Sequence, residues 1–201
     1  TYTSCPTPAE TNGNLPATVW RMPAPVVNTD SRFFSAILSV QVEIPEGATL
    51  RYTTDGSTPS RTNGETSETG SFRMTSSRVY RFVLIKDGYL DSPVVTRSYI
   101  RKQQTINMPI VSIVTDPAHL YDSKIGFFVK GTNGRAGKGT AELCNWNMDW
   151  DRPVNIELIT QDNVFQLNQE VWMSRCGGHG KGFTPMSFKV RASKDFYGQN
   201  T

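Results

Sequence analysis

The sequence predicts a mainly β chain, an antiparallel sandwich followed by a second β-rich, α+β domain that is cut short. Three observations carry this reading. Apolar and polar residues alternate at period two, with no helical period. Gly, Pro, Asn and Asp punctuate the alternation at strand-length intervals. A fresh set of strand patterns begins at Met108, after the polar stretch 101–107. The 201 residues suffice for two small domains, at roughly 100–200 residues each.

Residues 1–30 contain Pro6, Pro8, Pro16, Pro23 and Pro25. Each lacks a backbone donor, so an extended lead-in or linker is expected. The chain opens at Thr1 without Met, which suggests that an upstream piece has been removed. The first domain is placed at 31–103. Leu38, Val40, Val42 and Ile44 alternate with Ile37, Ser39, Gln41 and Glu43, the pattern of a strand buried on one face. Pro45 to Gly47 turns the chain into a strand over 49–54. Asp55, Gly56 and Ser57 close that strand in a tight turn, because an Asp side chain can bond its own backbone two residues on and Gly accepts positive φ. Residues 61–71 read as a solvated loop. Strands are expected over 79–85 and 94–100, joined by a turn at 86–89. Four or more short strands at this spacing make an antiparallel sandwich.

The second domain is placed at 104–201. Strands are expected at 108–114, 125–129, 154–160, 164–174 and 186–192, with a turn at 161–163. Asp116 followed by Pro117 fits the N-cap and first residue of a short helix. Residues 130–140 are so rich in Gly that a mobile loop or insertion is expected.

Composition excludes several function classes. Twenty-one Lys and Arg against 18 Asp and Glu give a net charge of +3 with both signs intermixed. Nucleic acid and anionic membranes are therefore not expected partners, since both call for a basic stripe. No stretch approaches the roughly 18 apolar residues of a membrane span, and no secretion signal opens the chain as given. The three cysteines, Cys5, Cys144 and Cys176, form neither a disulfide framework nor a zinc ribbon. Isolated thiols are expected, with a Cys144–Cys176 pair as the alternative.

Motifs with chemical content are few. Asn145, Asn147, Asp149 and Asp151 alternate like the first ligands of a calcium loop. Trp150 and Ile156 stand where such a loop needs Gly and Glu, so calcium is not expected. Trp146 and Trp150, with Tyr121 and Trp172, are candidates for an aromatic platform that stacks on a sugar; anchoring in the core is the alternative. Cys176 and His179 have C-x-x-H spacing, but two ligands do not close a metal site. There are two histidines and no G-x-S-x-G, which leaves nucleophilic catalysis without a positioned base. Glycoside cleavage requires a carboxylate pair, and any acidic chain has candidates such as Asp149 with Glu157, so the pattern alone decides nothing and neither enzymatic class is expected.

Two family resemblances organise the rest. The segment Ala48-Thr-Leu-Arg-Tyr-Thr-Thr-Asp-Gly-Ser-Thr-Pro59 resembles the "IYYTTDGSxP" motif of the chitobiase/beta-hexosaminidase C-terminal domain family, in a frame from about Arg32 to Ile100. That resemblance implies an immunoglobulin-like sandwich used as an accessory domain in secreted bacterial proteins, with Asp55 and Gly56 as turn residues and no catalytic group. The segment from Met108 resembles the N-terminal part of the CotH family of atypical spore-coat kinases. It does so through Met108–Asp122, Gly126–Val129, Asn145–Val154, Arg175–Gly178 and Ser187–Val190. Members of that family look like kinases using ATP with a divalent ion, and their acidic catalytic residues fall beyond Thr201. Gly177, Gly178, Gly180 and Lys189 occupy its glycine-rich position, where backbone N–H groups and a lysine could hold a phosphate. Cys176, His179 and Met186 depart from the pattern, and neither GxxxxGK[ST] nor GxGxxG is present.

The leading expectation is a non-catalytic accessory, binding or structural module of an exported bacterial cell-surface protein. No cofactor is expected for the chain as given, and its partner is expected to be a cell-surface protein or a glycan. By resemblance the location is secreted, periplasmic or cell-surface. The alternatives are a fragment of a CotH-like kinase using ATP with Mg or Mn, and a carbohydrate-binding module.

Overall fold

The computed structural model describes residues 20–29, 31–103, 105, 108–137, 140–160, 162, 165–177, 187–193 and 196. It is mainly β and divides into two compact units. One comprises residues up to 103; the other comprises residues from 104 onward with the short stretch Asp55–Ser57.

The first unit holds seven strands: β1 (Phe33–Phe34), β2 (Leu38–Gln41), β3 (Thr49–Thr53), β4 (Glu65–Ser67), β5 (Ser71–Met74), β6 (Arg78–Ile85) and β7 (Val95–Arg101). A five-stranded sheet in the order β1-β7-β6-β3-β4 is accompanied by the antiparallel pair β2-β5. Period two decides which side chains form the core. Tyr80, Phe82 and Leu84 of β6 lie inward with Leu50 of β3 and Tyr99 of β7, and meet Val40, Val42, Phe72 and Met74 from the β2-β5 side. Phe72 links the two layers: its ring centroid lies 4.9 Å from Tyr52, 5.1 Å from Tyr80 and 5.2 Å from Phe82. Aromatic pairs at this range contribute about 0.5–1.5 kcal/mol each beyond the area they bury.

Two segments differ from the sequence reading. The stretch expected to be a solvated loop over 61–71 contains β4, which pairs with β3 through Leu50↔Ser67 and Tyr52↔Glu65. The lead-in joins the sandwich from residue 21 onward: Arg21 bridges to Leu90, Val27 to Val42, and Met22 enters the core. Residues 1–19 lie outside the described residues.

The second unit contains β8 (Ile110–Val114), α1 (Pro117–Tyr121), β9 (Arg135–Gly137), β10 (Thr140–Cys144), β11 (Asp151–Ile159), β12 (Phe165–Arg175) and β13 (Phe188–Arg191). Its main sheet runs β13-β12-β11-β8, all antiparallel, and β9-β10 form a separate ribbon. Asp116 caps α1 by accepting the Ala118 N–H at 2.9 Å, with Pro117 in the first turn. The core holds Phe127, Val154, Val171 and Met173, with Ile113, Leu120, Phe128 and Trp150 packed against it. Residues 125–129 do not form the expected strand. The N–H groups of Phe127 and Phe128 donate to the carbonyls of His119 and Leu120, so the apolar run is a turn that returns onto the core after α1. Within the stretch expected to be a mobile loop or insertion, Arg135–Gly137 form β9, which pairs with β10.

At the edge of the first unit the Tyr52 hydroxyl donates to Glu65 Oε2 at 2.5 Å. That bond, reinforced by burial and by the Glu65 charge, pushes the phenol up to about 12. A raised pKa means that this contribution to stability is complete below the unfolded value of about 10 and is lost as pH rises through about 12. Glu65→Gln is expected to bring the Tyr52 titration back towards about 10, read by carbon NMR of ring-labelled tyrosine. An unmoved titration would show that the bond does not set it.

Candidate functional site

The polar turn after β3 is built on Asp55. Its Oδ1 accepts the Ser57 N–H at 2.9 Å and the Ser57 hydroxyl at 2.7 Å. Gly56 sits at φ +90°, which L side chains avoid because the Cβ crowds the backbone. The following loop is anchored by Arg61, whose guanidinium donates to Asp91 and Asp87 at 3.0 and 3.2 Å and to the carbonyls of Lys86 and Tyr89. These groups hold backbone in place.

A denser constellation surrounds Asn145, whose side chain is fully buried. Its Nδ2 donates to the carbonyls of Ser123 and Gly126, both at 3.0 Å, and its Oδ1 accepts the Asn133 N–H at 3.0 Å. Asn147 Nδ2 donates to the Arg135 carbonyl at 3.1 Å, Arg135 Nε returns to the Asn147 carbonyl at 2.9 Å, and Arg135 pairs with Asp149. The glycines of 130–137 permit this approach. A Cβ on Gly131 would lie 2.1 Å from Asn145 Nδ2, one on Gly134 1.9 Å from the Cys144 carbonyl carbon, and one on Gly137 2.4 Å from Asn147 Oδ1. Nearby, Asp122 Oδ1 accepts the N–H groups of Lys124 and Ile125, and those two bonds hold its carboxyl below the usual range.

The alternating residues of this loop therefore have different tasks. Asn145 and Asn147 serve the loop, Asp149 pairs with Arg135, and Asp151 pairs with Arg191 at 3.0 Å. Among the described residues no group of three or more His, Cys, Asp or Glu is placed to hold a metal ion. Trp146 is half-buried in the short 3₁₀ turn Asn145–Asn147. Trp150 packs against the second core, and the Arg152 guanidinium lies 4.7 Å from its ring centroid. Arg152 is itself fixed by bonds to the Ile125 carbonyl. Tyr121 is exposed and makes an edge contact with Phe128, and Trp172 contacts Phe196.

Gly177 is exposed at φ +95° with open space around it. Gly178, His179, Gly180 and Met186 lie outside the described residues. Lys189 is exposed on β13, opposite Ser174. Cys144 is buried, Cys176 half-buried, and both are reduced. His119 Nδ1 lies 3.0 Å from Thr115 Oγ1, whose own proton goes to the Pro153 carbonyl at 2.8 Å; Nδ1 is therefore the donor to Thr115. Glu157 lies within the same straight strand as Asp151, six residues on, so about 20 Å separates them at 3.3–3.4 Å per residue. Asp149 precedes that strand and pairs with Arg135, while Glu157 accepts from the Asn168 amide, so the two carboxylates serve separate partners.

The sequence reading missed a polar ladder across the second sheet. Asn155 Nδ2 donates to Asn168 Oδ1 at 2.8 Å, and Asn168 Nδ2 donates to Glu157 Oε1 at 3.2 Å. Asn155 and Glu157 are both buried. Their alternation with Val154, Ile156 and Leu158 was readable, but which face would be covered was not.

With this geometry established, comparison with known proteins adds one match. Residues 32–96 match the model of the chitobiase/beta-hexosaminidase C-terminal domain, a span that includes the Asp55–Gly56 turn and most of the sandwich. No curated protein matches the chain. The resemblance of residues 108–192 to the CotH family has no counterpart in these comparisons.

Two substitutions separate the fold roles. Gly56→Ala is expected to lower stability by about 1–2 kcal/mol through its positive φ, and an unchanged melting temperature would remove that role. Asn145→Ala, which strips the buried Gly126 carbonyl, the part-buried Ser123 carbonyl and the Asn133 N–H of their partner, is expected to cost about 2–3 kcal/mol in urea unfolding. A loss below about 0.5 kcal/mol would show that water replaces the side chain.

Proposed function

We propose that the chain is a non-catalytic accessory module of an exported bacterial protein, acting at the cell surface by presenting or positioning a binding surface. The match over residues 32–96 fits an accessory domain. One observation carries the reading further: the most conspicuous polar residues are engaged with the protein's own backbone. Asp55 serves its turn, Arg61 its loop, and Asn145 and Asn147 the glycine-rich segment. Such groups are not arranged around a reacting atom. No helix among the described residues is long and apolar enough to cross a membrane. The surface address is part of the proposal and is tested by protease accessibility of the protein in intact cells.

Thermal unfolding with and without millimolar ATP plus Mg or Mn tests the absence of nucleotide chemistry. A ligand at 100 times its Kd adds about 2.7 kcal/mol, or roughly 5–10 °C for a chain of this size. No shift is expected. A shift of that size would overturn the proposal and favour a kinase fragment with its phosphate site at Gly177 and Lys189. A shift with soluble chitin or peptidoglycan oligosaccharides in place of ATP would instead show carbohydrate binding.

A further inference from the structure

The outer edge of the second sheet has a chemistry of its own. β13 pairs with β12 through Phe188↔Arg175, Lys189↔Ser174, Val190↔Met173 and Arg191↔Trp172. The Cys176 N–H donates to the Ser187 carbonyl, which makes that opposed pair the hydrogen-bonded one. In an antiparallel ladder such pairs alternate, so Lys189 and Arg191 turn their backbone groups towards β12. Phe188 and Val190 turn theirs outward, to an edge on which no further strand pairs among the described residues. All four residues of β13 are exposed.

The side chains alternate with equal regularity. Phe188 and Val190, at 40% and 42% exposure, lie on the face that carries the Val171 and Met173 core, while Lys189 and Arg191 lie on the opposite face. Arg191 pairs with Asp151 across β12, and Lys189 has no acidic partner among the described residues. A short edge strand with Lys and Arg carries the usual guard against aggregation; here both charges stand on one face, while the other face is apolar and the outward donors and acceptors are in line.

We propose that β13 is a docking edge for an extended segment of a partner protein, added as a fifth strand, with apolar residues on the core face alternating with Asp or Glu opposite Lys189 and Arg191. Charge selects this occupant over a second copy of the chain. Antiparallel pairing of β13 with itself must keep each residue on its own face, and the two registers that overlap three of its four residues set Lys189 against Lys189 or against Arg191. Like charges directly opposed destabilise a strand pair. Backbone bonds would give the affinity, and the alternation the choice of partner. This inference does not depend on the accessory-module reading, and either can fail alone.

The test uses the whole chain and two fluorescent eight-residue peptides, one alternating valine with glutamate between threonine ends, the other with lysine for glutamate. The glutamate peptide is expected to bind at least about tenfold more tightly, and to weaken as salt rises. Amide exchange at Phe188 and Val190 is expected to slow on binding, with Lys189 and Arg191 unchanged. Lys189→Glu should reverse the preference between peptides. Val190→Pro, which removes an outward N–H and no bond to β12, should abolish binding with the melting temperature kept. Equal binding of both peptides, binding of neither, protection confined to other strands, or a dimer that Val190→Pro dissolves would each overturn the proposal.

Discussion

Loop carbonyls are the constraint on which both units depend. A backbone oxygen withdrawn from water without a donor costs about as much as a lost hydrogen bond, and strands this short leave many oxygens outside the ladders. Arginines do much of the holding, through bonds that lie mostly at the surface and so fix the course of a loop. Arg51 reaches the carbonyls of Arg61 and Gly64, Arg61 those of Lys86 and Tyr89, Arg101 those of Ser35 and Thr75, and Arg152 that of Ile125. The guanidinium suits the task because it presents five donors in a fixed plane. Arginines are accordingly placed where a loop has to be held.

The same constraint explains why site-like residues are fold residues here. Asp55 and Asn145 are the residue types that ligate ions, cap helices and close turns, because all three tasks call for a short side chain with an aimed oxygen or amide. What separates the tasks is the direction of the bonds. Asp55 turns towards its own backbone two residues on, and Asn145 towards three segments of one loop. The glycines of 130–137 complete the second arrangement by letting backbone come where a methyl group could not.

Much of the architecture was legible because period two survives wherever a strand covers a core. Val40, Val42, Tyr80, Phe82 and Leu84 declare their face in the sequence, and Asp116 with Pro117 declares a helix start. The misreadings arose where one pattern serves two physical ends. β4 is an edge strand of Glu, Thr and Ser with little to bury, so alternation had nothing to display. Phe127 and Phe128 form an apolar run that fills a core from a turn. Glycine at 131, 134 and 137 signals close approach, which composition cannot distinguish from mobility. The Asn155–Asn168–Glu157 ladder depends on register between strands, and register is not contained in either strand alone.

The order of strands in the second sheet also shapes how it assembles. β11 and β12 are joined by a short connection and pair along almost their whole length, whereas β8 reaches β11 only after the chain has passed through α1, the glycine-rich segment and β10. Closing so long an excursion is entropically unfavourable until the contacts inside it have formed. The excursion is the segment that Asn145 gathers. A side chain that looks like local housekeeping in the folded state thus bears on a non-local event: by tying the excursion to itself, Asn145 shortens the free loop whose closure seats β8 against β11.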